Sequence, residues 1–438
     1  VNGIDGPANK NRLCVKGRFG FDYVSNPERL TKPLIRIKGK EKDLHPSINF
    51  SNLHEYFREA TWDEALDHAA NGFLEIKKKR NGKSNLAGFG SAKCSNEEAY
   101  LFQKLIRTGF NTNNVDHCTR LCHASSVAAL LETIGSGAVT APFYEVEHSE
   151  VIIVIGANPT ENHPVAATFF KNAAKKGSKL IVMDPRGHAL KKHATHMLQF
   201  KPGSDVALLN SIMHVIIEDD IFNEEYIKKQ TSGFDDLRRH LKNYPPEIME
   251  EQTGIDANLI REVAHLYAKT SKGIIFWGMG VSQHVHGTDN ARCLISLALM
   301  TGNVGRRGSG LHPLRGQNNV QGASDAGLIP MMYPDYQLVE KDDKQNFFEK
   351  FWNTPLDNKK GLTVVEIMDA VHENTIKGMY ILGENPAMSD PDLNHARKAL
   401  QMLEHLVVQD IFLTETATYA DVIFPASAWP EKNGTATN

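Results

Sequence analysis

The stretch "VIIVIGANPTENHPVAATFFKNAAKKGSKLIVMDPRG", residues 151–187, decides the fold. It opens with an unbroken apolar run, passes through a loop of Gly, Asn and Pro, and continues as a helix-like segment ending at Gly177. A second apolar run then stops at Asp184. A buried strand, a loop, a helix and another buried strand form a βαβ unit. The sequence therefore predicts an α/β fold with parallel strands.

Similar junctions between a strand and a glycine-rich loop recur along the chain. They stand in "GIIFWGMGVSQHVHG" (273–287), "KGMYILGENPAMSDP" (377–391) and "HLVVQDIFLTETATYADVIFPA" (405–426). Ligands of open α/β sheets bind outside the carboxyl ends of the strands, and Gly lets backbone N–H groups approach phosphates. One set of loops precedes residue 290 and the other follows 375, which indicates two nucleotide-binding halves or one extended ligand with two nucleotide-like ends.

Two observations limit that interpretation. "GANPTE" carries one Gly, so the GxGxxG pattern of a plain NAD or FAD site is absent at the first strand. For any single loop, ordinary strand-ending Gly and Pro residues are the alternative.

Composition excludes several classes of protein. The chain has 438 residues, a net charge of −3 and 41% hydrophobic residues, which suits two or three domains and disfavours a general nucleic-acid binder. No apolar run approaches the roughly 20 residues of a membrane helix. Five scattered cysteines predict no disulfide framework and favour a reducing compartment. From its first and last residues we expect the chain to be part of a longer protein.

Local signals predict further elements. Thr61 is a candidate N-cap with Glu64 completing a capping box, and a helix follows over 62–80. Residues 85–91 predict a strand, and "NEEAYLFQKLIRTGF" (96–110) predicts a helix with Gly109 near its end.

A Cys-His pair, Cys122 and His123, stands at the mouth of a helix-like run in "HCTRLCHASSVAALLE". A thiolate at a helix N-terminus is stabilised by the helix dipole, and His holds a proton near neutral pH. Cys122 is therefore a candidate nucleophile, or a soft metal ligand with His123 as the acid or base. A buried structural cysteine is the alternative. A four-Cys site with Cys118 is disfavoured, because the other cysteines are isolated: Cys14, Cys94 and Cys293.

Two more segments attract attention. "HPLRGQNNVQGASD" (312–325) is rich in amides around Arg315, a composition that suits an anion or a heterocycle better than a regular helix or strand. A solvated loop is the alternative. In "RLCVKGRFG" (12–20), Cys14 precedes Lys16 by two residues and is either the last ligand of a metal cluster or a loop cysteine.

Together these motifs resemble the molybdenum- or tungsten-dependent oxidoreductases that bind two pterin guanine dinucleotides, the dimethyl sulfoxide reductase family. The resemblance runs nearly end to end and is carried by "RLCVKGRFGFDYVSNPERLTKPLIR", "HCTRLCHASSVAAL", "GANPTENHPV", "VMDPR", "WGMGVSQHVHG", "TGNVGRRGSGLHPLRGQNNVQGASDAG", "GENPAMSDPD" and "QDIFLTETATYADVIFPASAWPEK". Within the family the chain is most similar to the catalytic (alpha) subunit of formate dehydrogenase, in the style of the cytoplasmic, NAD-linked type.

The resemblance also ranks the alternatives. Nitrate reductases of this family typically carry Met where His123 stands, so nitrate reduction comes second. The large subunit of respiratory complex I shares the fold but lacks the Cys-His pair, which disfavours a non-catalytic electron-transfer scaffold. A plain cysteine hydrolase using Cys122 is a further alternative.

The resemblance implies the following site residues. Cys122 matches the metal-ligating cysteine or selenocysteine, His123 and Arg315 the other active-site residues, Cys14 the last of four ligands of a [4Fe-4S] cluster, and Lys16 the lysine between cluster and pterin. The three other cluster ligands are expected before residue 1. The remaining expected cofactor-binding residues are Gly156, Asn158, Asp184, Pro185, Gly203, Asp205, Gly278, Met279, Gly280, Gln283, Gly316, Gln317, Gly383, Asn385, Gln409 and Asp410.

For domain organisation the resemblance implies a remainder of the iron–sulfur domain over 1–58. One α/β pterin-dinucleotide domain is expected over 59–117 plus 318–430, a second over 118–317, and the start of a C-terminal region over 431–438. The implied reaction is oxidation of formate to carbon dioxide at a Mo or W bis(molybdopterin guanine dinucleotide) centre. The implied partner is an electron-acceptor subunit or a NAD-reducing flavin/iron–sulfur protein, and the implied location is the cytoplasm.

Overall fold

The computed structural model describes residues 1–6, 9–79 and 85–437, and its chain divides into two compact units. Unit 1 comprises 1–18 and 122–316, and unit 2 comprises 19–121 and 317–438. The predicted α/β class is confirmed, because each unit is built around a largely parallel sheet.

The strands are β1 Leu34–Arg36, β2 Phe57–Glu59, β3 Leu86–Gly90, β4 Val115–His117, β5 Val151–Ile155, β6 Lys179–Met183, β7 His196–Leu198, β8 Gly273–Trp277, β9 Gly310–Pro313, β10 Met332–Tyr333, β11 Gln337–Leu338, β12 Gly378–Leu382, β13 His405–Asp410 and β14 Val422–Pro425. The helices are α1 Val15–Phe19, α2 Trp62–Lys79, α3 Asn96–Leu105, α4 Ala124–Ile134, α5 Pro159–Asn162, α6 Pro164–Lys175, α7 Asp205–Glu218, α8 Glu224–Gln230, α9 Phe234–Leu241, α10 Pro246–Thr253, α11 Ala257–Ala268, α12 Met279–Ser282, α13 Gly287–Met300, α14 Val320–Asp325, α15 Asp342–Trp352, α16 Val364–His372, α17 Pro386–Ser389 and α18 Leu393–Met402.

The sheet of unit 1 has the strand order β7-β6-β5-β8-β9, with every neighbouring pair parallel. In chain order this is 3-2-1-4-5, the order of a doubly wound nucleotide-binding sheet. The chain leaves β5 toward one edge and returns to β8 on the other side. The switch point between β5 and β8 is where such a sheet opens a crevice for a ligand.

Both faces of this sheet are covered. Ile153 and Ile155 of β5 pack into a core with α7, α11 and α13, while Ile152 and Val154 pack against α6 on the other side. All five residues of β5 are buried. Strands covered on both faces form continuous apolar runs, which explains why "VIIVI" shows no alternation.

The sheet of unit 2 has the order β2-β1-β14-β13-β12-β3-β4. Its parallel part follows the chain order 2-1-3-4-5 when read from β4, and β1 adds antiparallel to β14 at the far edge. The switch point of this second doubly wound order lies between β3 and β12. Each unit therefore has its own switch point, the position at which ligands of such sheets bind.

The terminal segments depart from the domain boundaries expected over 1–58 and 431–438. Residues 1–18 join unit 1, where the Arg12 guanidinium lies 4.0 Å from the centre of the Phe169 ring, whereas 19–58 join unit 2 because β1 and β2 extend its sheet. The segment 431–437 packs on the start of α3 through Lys432 and Glu98, whose charged atoms lie 2.7 Å apart. The boundaries near 121/122 and 316/317 lie within four residues and one residue, respectively, of those expected.

Most local predictions agree with the structure. Thr61 Oγ1 accepts a hydrogen bond from the Glu64 amide at 3.2 Å, as its N-cap assignment predicts, and the residues 80–84 beyond α2 lie outside the described ones. The helix predicted over 96–110 ends at Leu105 and continues as a π-helical turn, Ile106–Phe110. The amide-rich segment forms a helix only from Val320. Among the described residues, no helix has both the length and the apolar character needed to cross a bilayer.

The π-helical turn carries a buried arginine that holds unit 2 together. Arg107 is 1% exposed and its guanidinium donates to the Gln103 and Asn113 side chains. It also donates to three main-chain carbonyls, those of Gly327, Ile329 and Met332, at 2.7–3.1 Å. Burial lowers its pKa to about 10. The guanidinium keeps its charge at neutral pH, because this pKa still lies well above that pH and the surrounding carbonyl and amide oxygens accept its N–H groups.

We expect Arg107→Met to destabilise unit 2 by about 3 kcal/mol or more, because several buried carbonyls would lose their donor. Urea unfolding followed by tryptophan fluorescence measures the loss. Arg239→Met is the matched control, since Arg239 is exposed and pairs with Asp236 on the same helix. Equal midpoints for the two variants would contradict the structural role of Arg107.

Candidate functional site

The loops that follow β5 and β8 touch each other at the switch point of unit 1. The Gly280 amide donates to the Gly156 carbonyl at 3.0 Å, and the Gly278 amide donates to Ile155 at 3.1 Å. A Cβ on Gly280 would lie 2.8 Å from the Gly156 Cα, and Gly156 itself has φ +58°. Only glycine permits this approach, so the two loops meet backbone to backbone at the switch point.

Cys122 lies beside this switch point. It stands two residues before α4, is partly exposed, and its Sγ lies 3.6 Å from the Met279 Sδ at the start of α12. The contact joins the candidate metal ligand to the glycine loop after β8. Because thiol and thioether are soft donors, the arrangement suits a soft metal better than a hard one.

A chain of hydrogen bonds fixes His123. Its Nε2 donates to the Leu314 carbonyl at 3.1 Å, so Nδ1 must accept from the Ser282 hydroxyl at 3.0 Å. Ser126 in turn donates to Ser282 at 2.7 Å and accepts from the Trp277 indole at 2.8 Å. The Ser126 hydroxyl therefore donates to Ser282, and the Ser282 hydroxyl donates to His123 Nδ1. This order of donors defines a single tautomer of the imidazole.

His123 is fully buried, and burial lowers its pKa to about 4, with the nearby Arg315 charge contributing in the same direction. The imidazole is therefore neutral at neutral pH. With both ring nitrogens engaged, it is placed to orient the Leu314–Arg315 turn.

Arg315 follows the carboxyl end of β9. Its guanidinium donates to the Gly137 carbonyl at 2.7 Å, and its own carbonyl accepts from His163 Nε2 at 2.7 Å. His123 bonds to the preceding carbonyl, so the imidazole and the Arg315 turn are in contact after β9, while the Cys122 thiol lies against Met279 after β8, at the same edge of the sheet. The family resemblance implied these three residues as a group, and all three belong to unit 1.

The other candidates of unit 1 lie at the same carboxyl edge. Asn158 follows β5, and Asp184 follows β6 and caps the Arg186 amide at 2.8 Å. Asp205 is buried at the start of α7, which raises the pKa of its carboxyl. Burial lowers the pKa of His163, and the positive charge of Lys16 lies close enough to help lower it further. The remaining candidates of this group follow the strands of unit 1 and are Pro185, Gly203, Gln283 and Gly316.

The crevice of unit 2 has a different character, because its switch point carries a buried carboxyl. The Ser91 hydroxyl at the end of β3 donates to Glu384 at 2.5 Å, and Glu384 follows the end of β12. Burial raises the pKa of Glu384. The pKa of Asp390 is raised to about 6, mainly by burial and to a smaller extent by the negative charge of Glu384. Gly383, with φ +66°, makes the turn between β12 and Glu384.

The candidates of unit 2 are largely engaged with protein groups. The Asn385 amide donates to Glu415 at 2.6 Å and its oxygen accepts from Thr416 at 2.8 Å, so this side chain shapes the loop. Gln409 accepts from the Tyr380 hydroxyl at 2.6 Å, and Gln317 lies 2.7 Å from Cys118. Burial raises the pKa of Asp410.

The cysteines fall into distinct classes. Burial raises the pKa of Cys94 and of Cys293 to about 12, so both stay protonated thiols. Cys14 is partly exposed near the chain start. Across residues 1–6, 9–79 and 85–437, no three His, Cys, Asp or Glu side chains gather into a metal-binding group. A cluster on Cys14 would need ligands from beyond these residues.

The chain is similar in sequence to a known family and to several characterised proteins. A molybdopterin oxidoreductase family model matches residues 29–438. The chain belongs to the molybdopterin oxidoreductase family. It is 43% identical over 432 residues to the F420-dependent formate dehydrogenase subunit alpha of Methanocaldococcus jannaschii, covering 99% of this chain and 60% of that protein. It is 38% identical over 438 residues to formate dehydrogenase H of Escherichia coli, covering 99% and 59%.

A solved structure shares the fold. Acetylene hydratase from Pelobacter acetylenicus superposes with a TM-score of 0.77 at 22% identity, covering 98% of this chain and 60% of that one. This molybdopterin oxidoreductase therefore spans about 60% of the length of the relatives it matches.

The residues present fit the molybdenum or tungsten pterin cofactor that family membership implies. At its switch point unit 1 has Gly156, Gly278 and Gly280, whose loops pack backbone against backbone so closely that an added Cβ would meet the opposite loop. It also offers a partly exposed cysteine beside that switch point. Backbone amides suit phosphate oxygens, and a thiolate suits a soft metal.

Sequence reasoning missed several residues of this site. Ser126, Ser282 and Trp277 set the tautomer of His123; all three lie in quoted motifs, but their contacts with one another were not readable from the sequence. Glu384 was visible in "GENP", yet its contact with Ser91 joins residues 293 positions apart. His163 lies in "TENHP", where Pro164 begins α6, so its position before a helix was readable but its partner was not.

We expect Gly280→Ala to destabilise unit 1 by about 1–3 kcal/mol, because the new methyl group would meet the Gly156 backbone. Bound pterin should fall in parallel, because the crevice would be displaced. Urea unfolding and fluorescence of oxidised, extracted pterin give the two readings. Gly187→Ala is the control, since its nearest neighbour would be the Gln199 side chain at 3.6 Å. Normal stability and pterin content in Gly280→Ala would refute the crevice assignment.

Proposed function

We propose that this chain is the cofactor-binding part of a formate dehydrogenase catalytic subunit. It would oxidise formate to carbon dioxide at a Mo or W bis(molybdopterin guanine dinucleotide) centre and pass the electrons to a [4Fe-4S] cluster. The observation that carries the proposal is the placement of Cys122, His123 and Arg315 at the carboxyl edge of one sheet, in a chain whose relatives include formate dehydrogenase alpha subunits.

Arg315 would bind the substrate. Formate is a small planar anion, and a guanidinium is a permanently charged fork that matches a carboxylate. Its neighbours His123, His163 and His312 all have pKa values lowered by burial, so Arg315 supplies positive charge among neutral rings. The turn holding Arg315 is fixed through Leu314, which orients the guanidinium before the anion arrives.

Cys122 would hold the metal, and the glycine loops with Gly156 and Gly280 would hold pyrophosphate. When bound, the metal–pterin group supplies the two-electron acceptor that side chains lack. His123 would keep the substrate-binding turn in place while remaining neutral. Lys16 and Cys14 would lie toward the cluster, as the resemblance implies.

The proposal also assigns a role to each of the two units. Each unit would bind one pterin guanine dinucleotide at its own switch point. We infer an electron-acceptor partner and a cytoplasmic location. Relatives named for F420 stand beside the NAD-linked type expected from the first segment, so both acceptors belong in the assay.

We expect the protein with its natural ends to contain Mo or W and to reduce viologen dye with formate. Elemental analysis and the formate:viologen assay test this directly. Nitrate consumption with reduced viologen, and no formate oxidation, would replace the proposal by nitrate reductase. Absence of both metals in purified, active protein would favour the electron-transfer scaffold or a cysteine hydrolase, which iodoacetamide sensitivity separates.

We expect Arg315→Ala to raise the KM for formate by roughly 10–100-fold, since a charge-assisted bidentate contact would be lost. Arg315→Lys should recover part of the affinity, because it keeps the charge without the fork. Steady-state kinetics with dye at saturating acceptor give both values. An unchanged KM in Arg315→Ala would remove its anion-binding role.

A further inference from the structure

The turn that carries Arg315 is held by two histidines on consecutive carbonyls. His123 Nε2 donates to the carbonyl of Leu314 at 3.1 Å, and His163 Nε2 donates to the carbonyl of Arg315 at 2.7 Å. We call His123 and His163 the histidine clamp. The two residues come from different elements, His123 from the start of α4 and His163 from the residue before α6.

Both histidines act as donors at neutral pH for a geometric reason. A carbonyl oxygen only accepts, so each Nε2 must carry a proton. Neither imidazole needs a second proton to make its bond to the turn. The clamp therefore adds hydrogen bonds to the turn without adding charge beside Arg315.

The segment Gly137–Ala141 also contacts this turn, through the side chain of Arg315. The Arg315 guanidinium donates to the Gly137 carbonyl at 2.7 Å, and the Gly137–Ala141 segment is joined to β9, where His312 Nδ1 donates to Ala141 at 3.1 Å. Thr140 and Leu311 exchange main-chain and hydroxyl hydrogen bonds at 2.8–3.1 Å. The side chain of Arg315 is thus fixed at its tip as well as at its backbone.

We propose that His163 is a positioning residue for Arg315: its hydrogen bond to the Arg315 carbonyl, paired with that of His123 to Leu314, sets the direction from which the guanidinium meets a carboxylate substrate. This rests on the proposed function, because it assigns Arg315 to anion binding. His163 itself touches neither substrate nor cofactor in this role. Small displacements of a positioned group weaken binding strongly, so the effect reaches the substrate through Arg315.

The test uses the full-length holoenzyme and three variants. His163→Leu removes the donor at similar size, and His163→Gln keeps an N–H at a comparable reach. His214→Leu is the matched control, because His214 is also half-buried in unit 1 and donates to a main-chain carbonyl, that of Leu241 at 2.8 Å. Steady-state formate:viologen kinetics and hydrogen–deuterium exchange of the peptide spanning 310–320 are measured for each.

We expect His163→Leu to raise the KM for formate on the order of tenfold, with kcat within about threefold of the wild type. Exchange of the 310–320 peptide should accelerate in the same variant, a reading independent of turnover. His163→Gln should restore both, and His214→Leu should change neither. A merely structural role would lower folded yield without separating KM from kcat.

Unchanged KM and unchanged exchange in His163→Leu, with an active wild type, would overturn the clamp. A fall in kcat alone would overturn it as well, because the substrate-binding step would be intact. A wild type without formate oxidation removes the proposed function instead, and the exchange reading then decides whether the clamp holds the turn. If His163→Leu does not fold, His163→Asn replaces it, since its shorter amide falls short of the Arg315 carbonyl.

Discussion

The contact between two glycine loops is the constraint on which unit 1 depends. The loops after β5 and β8 approach until the Gly280 amide bonds to the Gly156 carbonyl at 3.0 Å, a distance that leaves no room for a Cβ. From this contact α12 starts in a defined place. Met279 then meets Cys122, and Ser282 meets His123. A backbone approach at the switch point thereby fixes side chains that are far apart in sequence.

Burial gives the same site its electrostatic character. A buried imidazole loses the hydration that stabilises its charged form, so the pKa values of His123 and His312 fall to about 4. Arg315 keeps its charge, because a guanidinium is hardly ever deprotonated in proteins. The turn after β9 therefore carries a fixed cation among neutral imidazoles. The positive charge near the turn is therefore largely independent of pH across the neutral range.

Unit 2 also has a doubly wound sheet, but different side chains lie at its switch point. Its switch point presents Glu384 and Ser91 where unit 1 presents glycine and thiol. Burial raises the pKa of Glu384, so its protonated form, which can donate a hydrogen bond, is favoured over that of an exposed glutamate. The sheet topology sets where a ligand crevice opens, and the residues at the strand ends decide which groups the crevice offers.

The sequence by itself determined the strands, their parallel arrangement and the loops at their carboxyl ends, which follow from local patterns: apolar runs that need burial on both faces, and glycine where a chain must turn. A helix start beside a cysteine singled out Cys122, and the family resemblance grouped it with His123 and Arg315. The unit boundaries near 121 and 316 lie within a few residues of those that the resemblance implies. Residues 1–58, expected as one segment, are divided between the two units, and the pairing of β1 with β14 joins positions about 390 apart.

Only the tertiary structure decided the hydrogen-bond partners. That His123 is neutral follows from its burial, and that its Nδ1 accepts follows from Ser282 and Trp277, 159 and 154 residues away. The bond from His163 to Arg315 spans 152 residues, and Arg107 binds carbonyls more than 200 residues distant. Short-range patterns carry no information about such pairs, because sheet order and crossover connections bring them together.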